Sequence, residues 1–260
     1  MADYVLARKS RNMISDITHV FLNILLGILV VLITVFSASP LIGGLFVIVS
    51  KWRVFAVRPR YMLSNLKASL VDFIVGFSVV ALAYFAGGSL LTVHFLLMTI
   101  YVVWLVFVKP RSSEMATFLQ SLIAVFLGIS AVMIATSGQN AIIVTFLAFL
   151  IGYAASRHIL IQTNDKDFTL MTLVLGLVFA EIAWLSQIWS IIYTFGGTGI
   201  RIPQAAIILT IFMLVYNYAR QARQKFREDF RFRNIAGPVF FGFILVWIII
   251  IWFSDPIFNI

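Results

Sequence analysis

Long runs of apolar residues follow one another along most of this chain, and short polar segments separate them. A hydrocarbon core about 30 Å thick needs about 20 helical residues to cross it. Eight runs reach that length, and each therefore predicts a membrane-spanning helix. Their approximate bounds are 17–36, 69–88, 89–108, 115–136, 139–160, 168–193, 198–219 and 235–253.

A ninth span is predicted at 40–57, although this stretch is less uniform than the others. Only 41–49 is free of charge, and nine helical residues rise about 14 Å, which is too short to cross the core. The long side chains of Lys51 and Arg53 can extend towards the membrane surface and so make the whole stretch usable as a span. The pattern therefore predicts an all-α bundle of nine transmembrane helices.

The distribution of positive charge supports this count. With nine spans, the polar segments that lie on one side of the membrane are 1–16, 51–67, 109–114, 157–167 and 220–234. They contain all of the 19 Lys and Arg residues except Arg201. Because an excess of Lys and Arg marks the cytoplasmic side, we expect a cytoplasmic N-terminus and an external C-terminus. Without the span at 40–57, the basic groups on either side of it would lie on opposite faces.

Composition agrees with a membrane protein. The chain is 62% hydrophobic and 11% charged, with a mean hydropathy of +1.05, whereas soluble domains are about half apolar and a quarter charged. We expect one transmembrane domain over residues 1–260, without a soluble domain, as a multi-pass protein of the plasma (inner) membrane. The first run lacks a cleavage site, so it is interpreted as a retained span. The absence of cysteine excludes disulfides and thiolate metal sites.

Glu181 is the main candidate for chemistry, because it lies close to the middle of the predicted span 168–193. A charge at the centre of a membrane helix costs about 2.5–3.5 kcal/mol on insertion scales and usually faces protein or water. The neighbouring small residues Thr172, Gly176 and Ala180 form a ridge that another helix can approach closely. We expect Glu181 to point into the bundle, where it either carries a proton or cation or fixes helix packing by hydrogen bonding.

Three further polar residues are predicted to join Glu181 in a cluster in the outer half of the membrane: His94, Gln187 and Arg201. His94 is expected either to relay protons or to be an interior histidine with satisfied hydrogen bonds. Arg201 either reaches inward, to pair with Glu181 or bind an anion, or stays in the outer loop beside a helix.

Asp72 is interpreted differently, because it enters its span one turn after a basic loop. A carboxylate in the first turn of a helix is favoured by the helix dipole. We expect Asp72 to cap the helix and to pair with Lys67 or Arg60.

Two basic segments are predicted to contact anionic lipid headgroups. In the first, Arg223, Arg227 and Arg231 form a like-charged stripe beside apolar residues that recur every four positions. The second, 51–67, mixes aromatic residues with cations, of which the candidate contacts are Lys51, Arg53, Arg58 and Arg60. An acidic cytosolic partner is the alternative. Other membrane-protein subunits are further candidate partners of the chain. Nucleic-acid binding is not expected, since topology explains the charge.

Small residues at four-residue spacing predict close helix packing inside the bundle rather than a dimer interface. They are Ala124 and Gly128 in one span, and Ala148, Gly152 and Ser156 in the next.

Several chemistries lack their reacting groups. Walker-type, HExxH and GxSxG motifs are missing. A retinal protein needs a lysine in the middle of a span, whereas Lys51, Lys67, Lys109 and Lys166 lie at predicted membrane edges, which excludes this class. Nine spans with polar inner loops after the second and sixth resemble in outline the intramembrane prenyltransferases, a family whose aspartate-rich loops hold Mg²⁺ and diphosphate. Here the corresponding positions offer Asn65 with Asp72, which is incomplete, and 164–167, which is too compact. We therefore expect no metal site and no cofactor.

Three functions compete at this point. The first is a small-solute or ion/proton-coupled carrier that uses Glu181. The second is a structural or assembly subunit of a larger membrane complex, without chemistry of its own. The third is a lipid-processing enzyme or lipid carrier. Whether Glu181 borders a cavity or a packed surface separates these functions best.

Overall fold

The computed structural model of the chain describes residues 2–86, 91–137, 140–161, 168–189, 191–195, 198–226 and 233–252, with side chains from residue 15 onward except at 234 and 252. Helices make up most of this part of the chain. They are α1 (Ala2–Phe36), α2 (Pro40–Ser50), α3 (Trp52–Phe55), α4 (Pro59–Ala68), α5 (Leu70–Phe85), α6 (Leu91–Val103), α7 (Glu114–Ala135), α8 (Ala141–Leu160), α9 (Phe168–Ser186), α10 (Gln204–Lys225) and α11 (Arg233–Trp252). A π-helical segment, Trp104–Val108, continues α6, and strands β1 (Ile192–Phe195) and β2 (Ile200–Pro203) precede α10.

Six helical segments in the described part are long and apolar enough to cross a membrane. They are Ser15–Phe36 of α1, Leu91–Val108, α7, α8, α9 and α10. The pair α4 and α5, bent by 63°, makes a seventh if it is one broken span, and α2 and Ile235–Ile251 of α11 are shorter apolar helices. The chain is therefore a multi-pass helical membrane protein. The count of nine spans and the orientation remain predictions from the sequence.

The stretch predicted as one span at 40–57 is not one continuous helix. α2 ends at Ser50, and Lys51 separates it from the four residues of α3. Val47 of α2 packs next to Gly76 of α5, and Lys51 lies beside Asp72. Because later residues of α2 meet earlier residues of α5, the two helices are antiparallel. Lys51 is therefore level with the first turn of α5.

The predicted span 168–193 is also interrupted. α9 ends at Ser186, and the chain enters a two-stranded antiparallel hairpin in which Ile192 pairs with Pro203 and Phe195 with Ile200. Ile, Tyr, Thr and Phe, which fill β1, favour strands. Gly199 has a φ of 70°, which glycine adopts without strain, so the chain can reverse direction there. This local preference ends the helix earlier than hydropathy alone predicts.

α7 lies at the centre of the bundle and divides it into two apolar cores. Ala124 and Leu127 of α7 belong to a core shared with α1, α2, α5 and α6. Val125 and Ile129 belong to a second core shared with α8, α9 and α10. Opposite faces of one helix thus hold the two halves of the protein together.

Small residues bring neighbouring helices into close contact. Gly152 of α8 packs directly against the buried Phe179 of α9, and Gly176 of α9 packs against Phe149 of α8. Gly128 of α7 fits between side chains of α5 and α8. The predicted small-residue motifs are therefore internal packing contacts.

The polar contacts define two ends of the bundle. At the first, named the basic end, Lys51, Asp72 and Lys109 meet, and Gln120 contacts His158. The other end, named the hairpin end, carries β1 and β2 and the end of α5. Helices that run in opposite directions bring their termini together at each end.

Candidate functional site

The structure places Glu181 on the exposed surface of α9, not inside the bundle. Within the described part of the chain, its carboxyl group has no hydrogen bond and no ion pair. Thr172, Gly176 and Ala180 are buried, and this ridge faces α8 as expected of small residues. Each helical residue is rotated about 100° from the one before it, so Glu181 points away from the side that Ala180 buries. The prediction that Glu181 points inward is wrong for this reason.

Glu181 is also closer to one end of its helix than predicted. Since α9 ends at Ser186, the carboxylate lies about 8 Å from that end and about 20 Å from Phe168. The exposed apolar side chains of Ile188 and Trp189 nevertheless continue beyond the helix. Glu181 therefore has apolar surface on both sides along the chain.

His94 and Arg201 are brought together, but by the end of α5 and not by Glu181. The Nε2 atom of the buried His94 lies 3.0 Å from the carbonyl oxygen of Ala83. The Nη2 atom of Arg201 donates a hydrogen bond of 2.8 Å to the carbonyl oxygen of Phe85. The last carbonyls of a helix lack partners within it, so both side chains stabilise this helix terminus.

Gln187, the fourth predicted member, belongs to a different contact. Its Nε2 atom donates to the sulfur of Met133 over 3.2 Å. A small polar cavity of about 40 Å³ lies between Gln187 and Gln204. The structure thus distributes the four predicted residues over three places: the surface of α9, the end of α5 and the contact of α7 with the residues that follow α9.

The basic end contains an ionic cluster that the sequence pattern did not reveal. One carboxylate oxygen of Asp72 lies 2.9 Å from Nζ of Lys109 and 3.8 Å from Nζ of Lys51. The predicted partners Lys67 and Arg60 are not the ones that Asp72 meets. Lys109 follows the π-helical segment and Lys51 follows α2, so the correct partners come from helices that are distant in sequence and adjacent in space.

Lys51 is the least expected member of this cluster. It was predicted to contact lipid headgroups, but it is buried, and its Nζ atom lies 4.9 Å from the centre of the Phe73 ring without a hydrogen bond in the described structure. Removal from water lowers the pKa of Lys51 from 10.5 to about 7, although Asp72 partly opposes this shift. Lys51 is therefore an internal ion-pair partner and not a surface contact.

Gln120 connects the ionic cluster to α7 and α8. Its Nε2 atom donates to the carbonyl oxygens of Val108 and Arg111, over 2.8 and 2.9 Å. Its Oε1 atom lies 2.6 Å from Nε2 of His158. These carbonyls follow the π-helical turn, where Lys109 N bonds to the oxygen of Trp104. The sequence signal for this contact was a glutamine within a predicted membrane helix.

Those of the remaining predicted lipid contacts that the structure describes are exposed. Arg53, Arg58 and Arg60 are exposed on and beside α3 and α4, and Arg223 is exposed near the end of α10. Arg60 stacks over the ring of Tyr61, 4.5 Å from its centre. Arg227 and Arg231 lie outside the described residues. The bend of 63° between α4 and α5 is compatible with α4 lying along the membrane surface.

Two large cavities open on the sides of the bundle, and both are lined almost entirely by apolar residues. One, of about 390 Å³, lies among α5, α7 and α8. The other, of about 470 Å³, lies between α6 with its π-helical segment and α7. Among the described residues, no three His, Asp or Glu side chains are grouped so that they could hold a metal ion.

Comparison of the sequence with protein-family models, with curated proteins and with solved structures found no match. A functional conclusion therefore depends on the geometry of the chain. One feature is unusual for a membrane bundle: the carboxylate of Glu181 lies on an exposed helix face.

Proposed function

We propose that this multi-pass membrane protein is a subunit of a larger membrane complex, and that the exposed face of α9 docks against a transmembrane helix of another protein. The observation that carries the proposal is Glu181, a carboxylate on a helix face that is otherwise apolar. In an isolated chain this group would face lipid hydrocarbon, which is unfavourable for a charged or unsatisfied polar group.

The exposed face of α9 has the spacing of a helix contact. Its side chains recur at alternating intervals of four and three residues, the pattern by which one helix packs along another. They are Leu170, Val174, Leu177, Glu181, Trp184 and Ile188, and each apolar member is at least 45% exposed. Lipid-facing helices are also apolar, so the position of Glu181 within this stripe is what distinguishes it from a surface that only meets lipid.

The chemistry of Glu181 defines the expected partner. A helix that presents Lys, Arg, His or an amide at the same depth would satisfy the carboxyl group by an ion pair or hydrogen bond. A second copy of this chain would instead place a carboxyl group opposite a carboxyl group. Charge complementarity therefore favours a different protein over a homodimer.

The cavities give less support to a carrier. A solute or ion path needs polar groups along a cavity that crosses the bundle, whereas the two large cavities are lined by apolar side chains. His94 and Arg201, the expected relay partners, are engaged by the end of α5. These contacts favour the assembly function over the solute or proton carrier.

Site-specific photocrosslinking in the source membrane tests this proposal. A photoreactive amino acid at Leu177, on the α9 face, is expected to give one defined product with a second membrane protein, identified by mass spectrometry. Glu181→Leu should abolish that product. The crosslinking control carries the photoreactive amino acid at Ile143, which is exposed on α8. The control for the loss of a carboxylate is Glu114→Gln, which removes an exposed carboxylate on another helix. A product of twice the chain mass, or lipid adducts alone, would overturn the proposal of a different protein partner.

A further inference from the structure

A second feature, independent of α9, is a pair of adjoining apolar cavities along α6 and α7, together named the groove. The cavity of about 470 Å³ beside the π-helical segment shares Ile100, Phe126 and Leu127 with a cavity of about 150 Å³ at the hairpin end. The lining runs from Val93 to Val108 along α6 and its continuation, a rise of about 22 Å. The groove therefore extends over most of a hydrocarbon core of about 30 Å.

Two polar atoms along this groove have no partner in the described structure. Ser130 lines the smaller cavity at the hairpin end and is 3% exposed, and its hydroxyl group makes no hydrogen bond. Trp104 lines the larger cavity beside the π-helical segment and is 2% exposed, and its Nε1–H is likewise unpaired. Both atoms are covered by neighbouring side chains, so the groove itself presents an apolar surface.

Arg201 lines the hairpin-end mouth of the groove. Among the described residues, its guanidinium group makes one hydrogen bond, to the carbonyl oxygen of Phe85. A guanidinium group has five N–H donors in a planar fork that is suited to carboxylates and phosphates. No carboxylate in the described part of the chain pairs with it. The mouth thus offers an unneutralised positive charge above an apolar channel.

We propose that this groove is a binding site for a membrane lipid with an anionic headgroup. The phosphate or carboxylate binds the free donors of Arg201, and one hydrocarbon chain lies between α6 and α7 past Phe126 and Leu127. The site does not depend on the docking of α9, because Glu181 lies on a separate face.

The apolar lining explains why the ligand is an amphiphile and not a soluble anion. The cavities offer a free phosphate ion almost no polar partners besides Arg201, and removing an anion from water without several hydrogen bonds is costly. A hydrocarbon chain gains favourable contacts along the whole groove. The charge at the mouth then distinguishes anionic from zwitterionic headgroups.

Lipid titration of the purified full-length chain in mild detergent tests the site. Phosphatidylglycerol, phosphatidylcholine and oleate are added separately, and bound lipid is counted by native mass spectrometry while thermal unfolding is followed in parallel. We expect one lipid to be retained, with phosphatidylglycerol or oleate binding about tenfold more tightly than phosphatidylcholine because of the charge-assisted bond. Preference for phosphatidylglycerol over oleate identifies a phospholipid, and the reverse identifies a fatty acid.

Variants make the result specific to the groove. Arg201→Gln should remove the preference for anionic lipid, and Arg201→Lys should keep part of it. Ser130→Leu should reduce retention of every lipid by filling the groove. Arg111→Gln, which removes an exposed cation at the basic end, is the matched control and should change nothing. Equal lipid preference in Arg201→Gln and the unmodified chain would overturn the proposal. If Arg201→Gln does not fold, Arg201→Lys decides: a reduced preference at an unchanged unfolding temperature supports the proposal, and an unchanged preference overturns it.

Discussion

The ammonium group of Lys109 lies 2.9 Å from the carboxylate of Asp72, and this ion pair joins the end of the π-helical segment to the first turn of α5. The same carboxylate is 3.8 Å from the buried ammonium group of Lys51 at the end of α2. Three segments that are distant in sequence are therefore held at one point. Removing one partner of such a buried pair leaves an uncompensated charge, which is strongly unfavourable.

Asp72→Asn is expected to destabilise the protein by about 1–3 kcal/mol near pH 6, where Lys51 is charged and would lose its partner. The measurement is thermal unfolding in detergent. Lys51→Met in the Asp72→Asn background should recover part of the loss, because it removes the unpaired charge. Lys109→Gln alone should cost less, since the side chain of Lys109 is 40% exposed and water can replace its partner. Equal stability of Asp72→Asn and the unmodified chain would show that the ion pair contributes nothing.

Stability should also depend on pH through Lys51. Its pKa is about 7 in the folded chain and about 10.5 when exposed, so between these values the unfolded chain holds a proton that the folded chain has released. Stability from this residue therefore rises with pH across that interval and is flat below it. Lys51→Met should lose this dependence. The difference in stability between the unmodified chain and Lys51→Met, measured at pH 7 and again at pH 9, separates the contribution of Lys51 from that of other titrating groups. A difference that does not vary with pH would contradict the prediction.

Gly152→Ala tests the closest helix contact. A Cβ atom at Gly152 would lie 2.5 Å from Cγ and 2.6 Å from Cβ of Phe179, and these ring-base atoms cannot move without shifting α9. We expect a loss of about 1–3 kcal/mol from overpacking. Gly44→Ala is the control, because its Cβ would meet Phe77 at 3.4 Å, an ordinary contact. If both variants unfold at the same temperature, α8 and α9 are not packed as described.

Proton flux through reconstituted vesicles separates the carrier from the assembly subunit. Glu181→Gln and the unmodified chain are expected to give the same flux with a pH-sensitive dye inside the vesicles, because Glu181 is on the outer surface of α9 and borders neither of the large cavities. Protein-free vesicles set the background. A flux above background that disappears in Glu181→Gln would restore the carrier hypothesis and count against the assembly function.

Several features could be predicted from the sequence because they are properties of one segment. The length of an apolar run predicts a membrane helix wherever it lies in the bundle, so the spans at α7 and α8 agree with the structure within two residues. Small residues at four-residue spacing predicted the close contact at Gly152 for the same reason. The hairpin after α9 also had a local signal, because residues 191–195 favour strands. These residues are apolar as well, so the hydropathy pattern assigned the first of them to the preceding span.

The candidate sites were decided by tertiary structure. Hydropathy measures how apolar a segment is, and not how a helix is rotated or where it ends. It therefore placed Glu181 in the middle of a span and inside the bundle, whereas Glu181 lies on the exposed side of α9 and nearer to one end of it. Asp72 was predicted to pair with neighbours in sequence, whereas the antiparallel arrangement of α2, α5 and α6 brings Lys51 and Lys109 to it. The groove along α6 and α7, with Arg201 at its mouth, exists only in the folded bundle. The sequence by itself thus determined that this is a helical membrane protein, since burial in lipid acts on each segment alone, and only packing decided which polar groups meet.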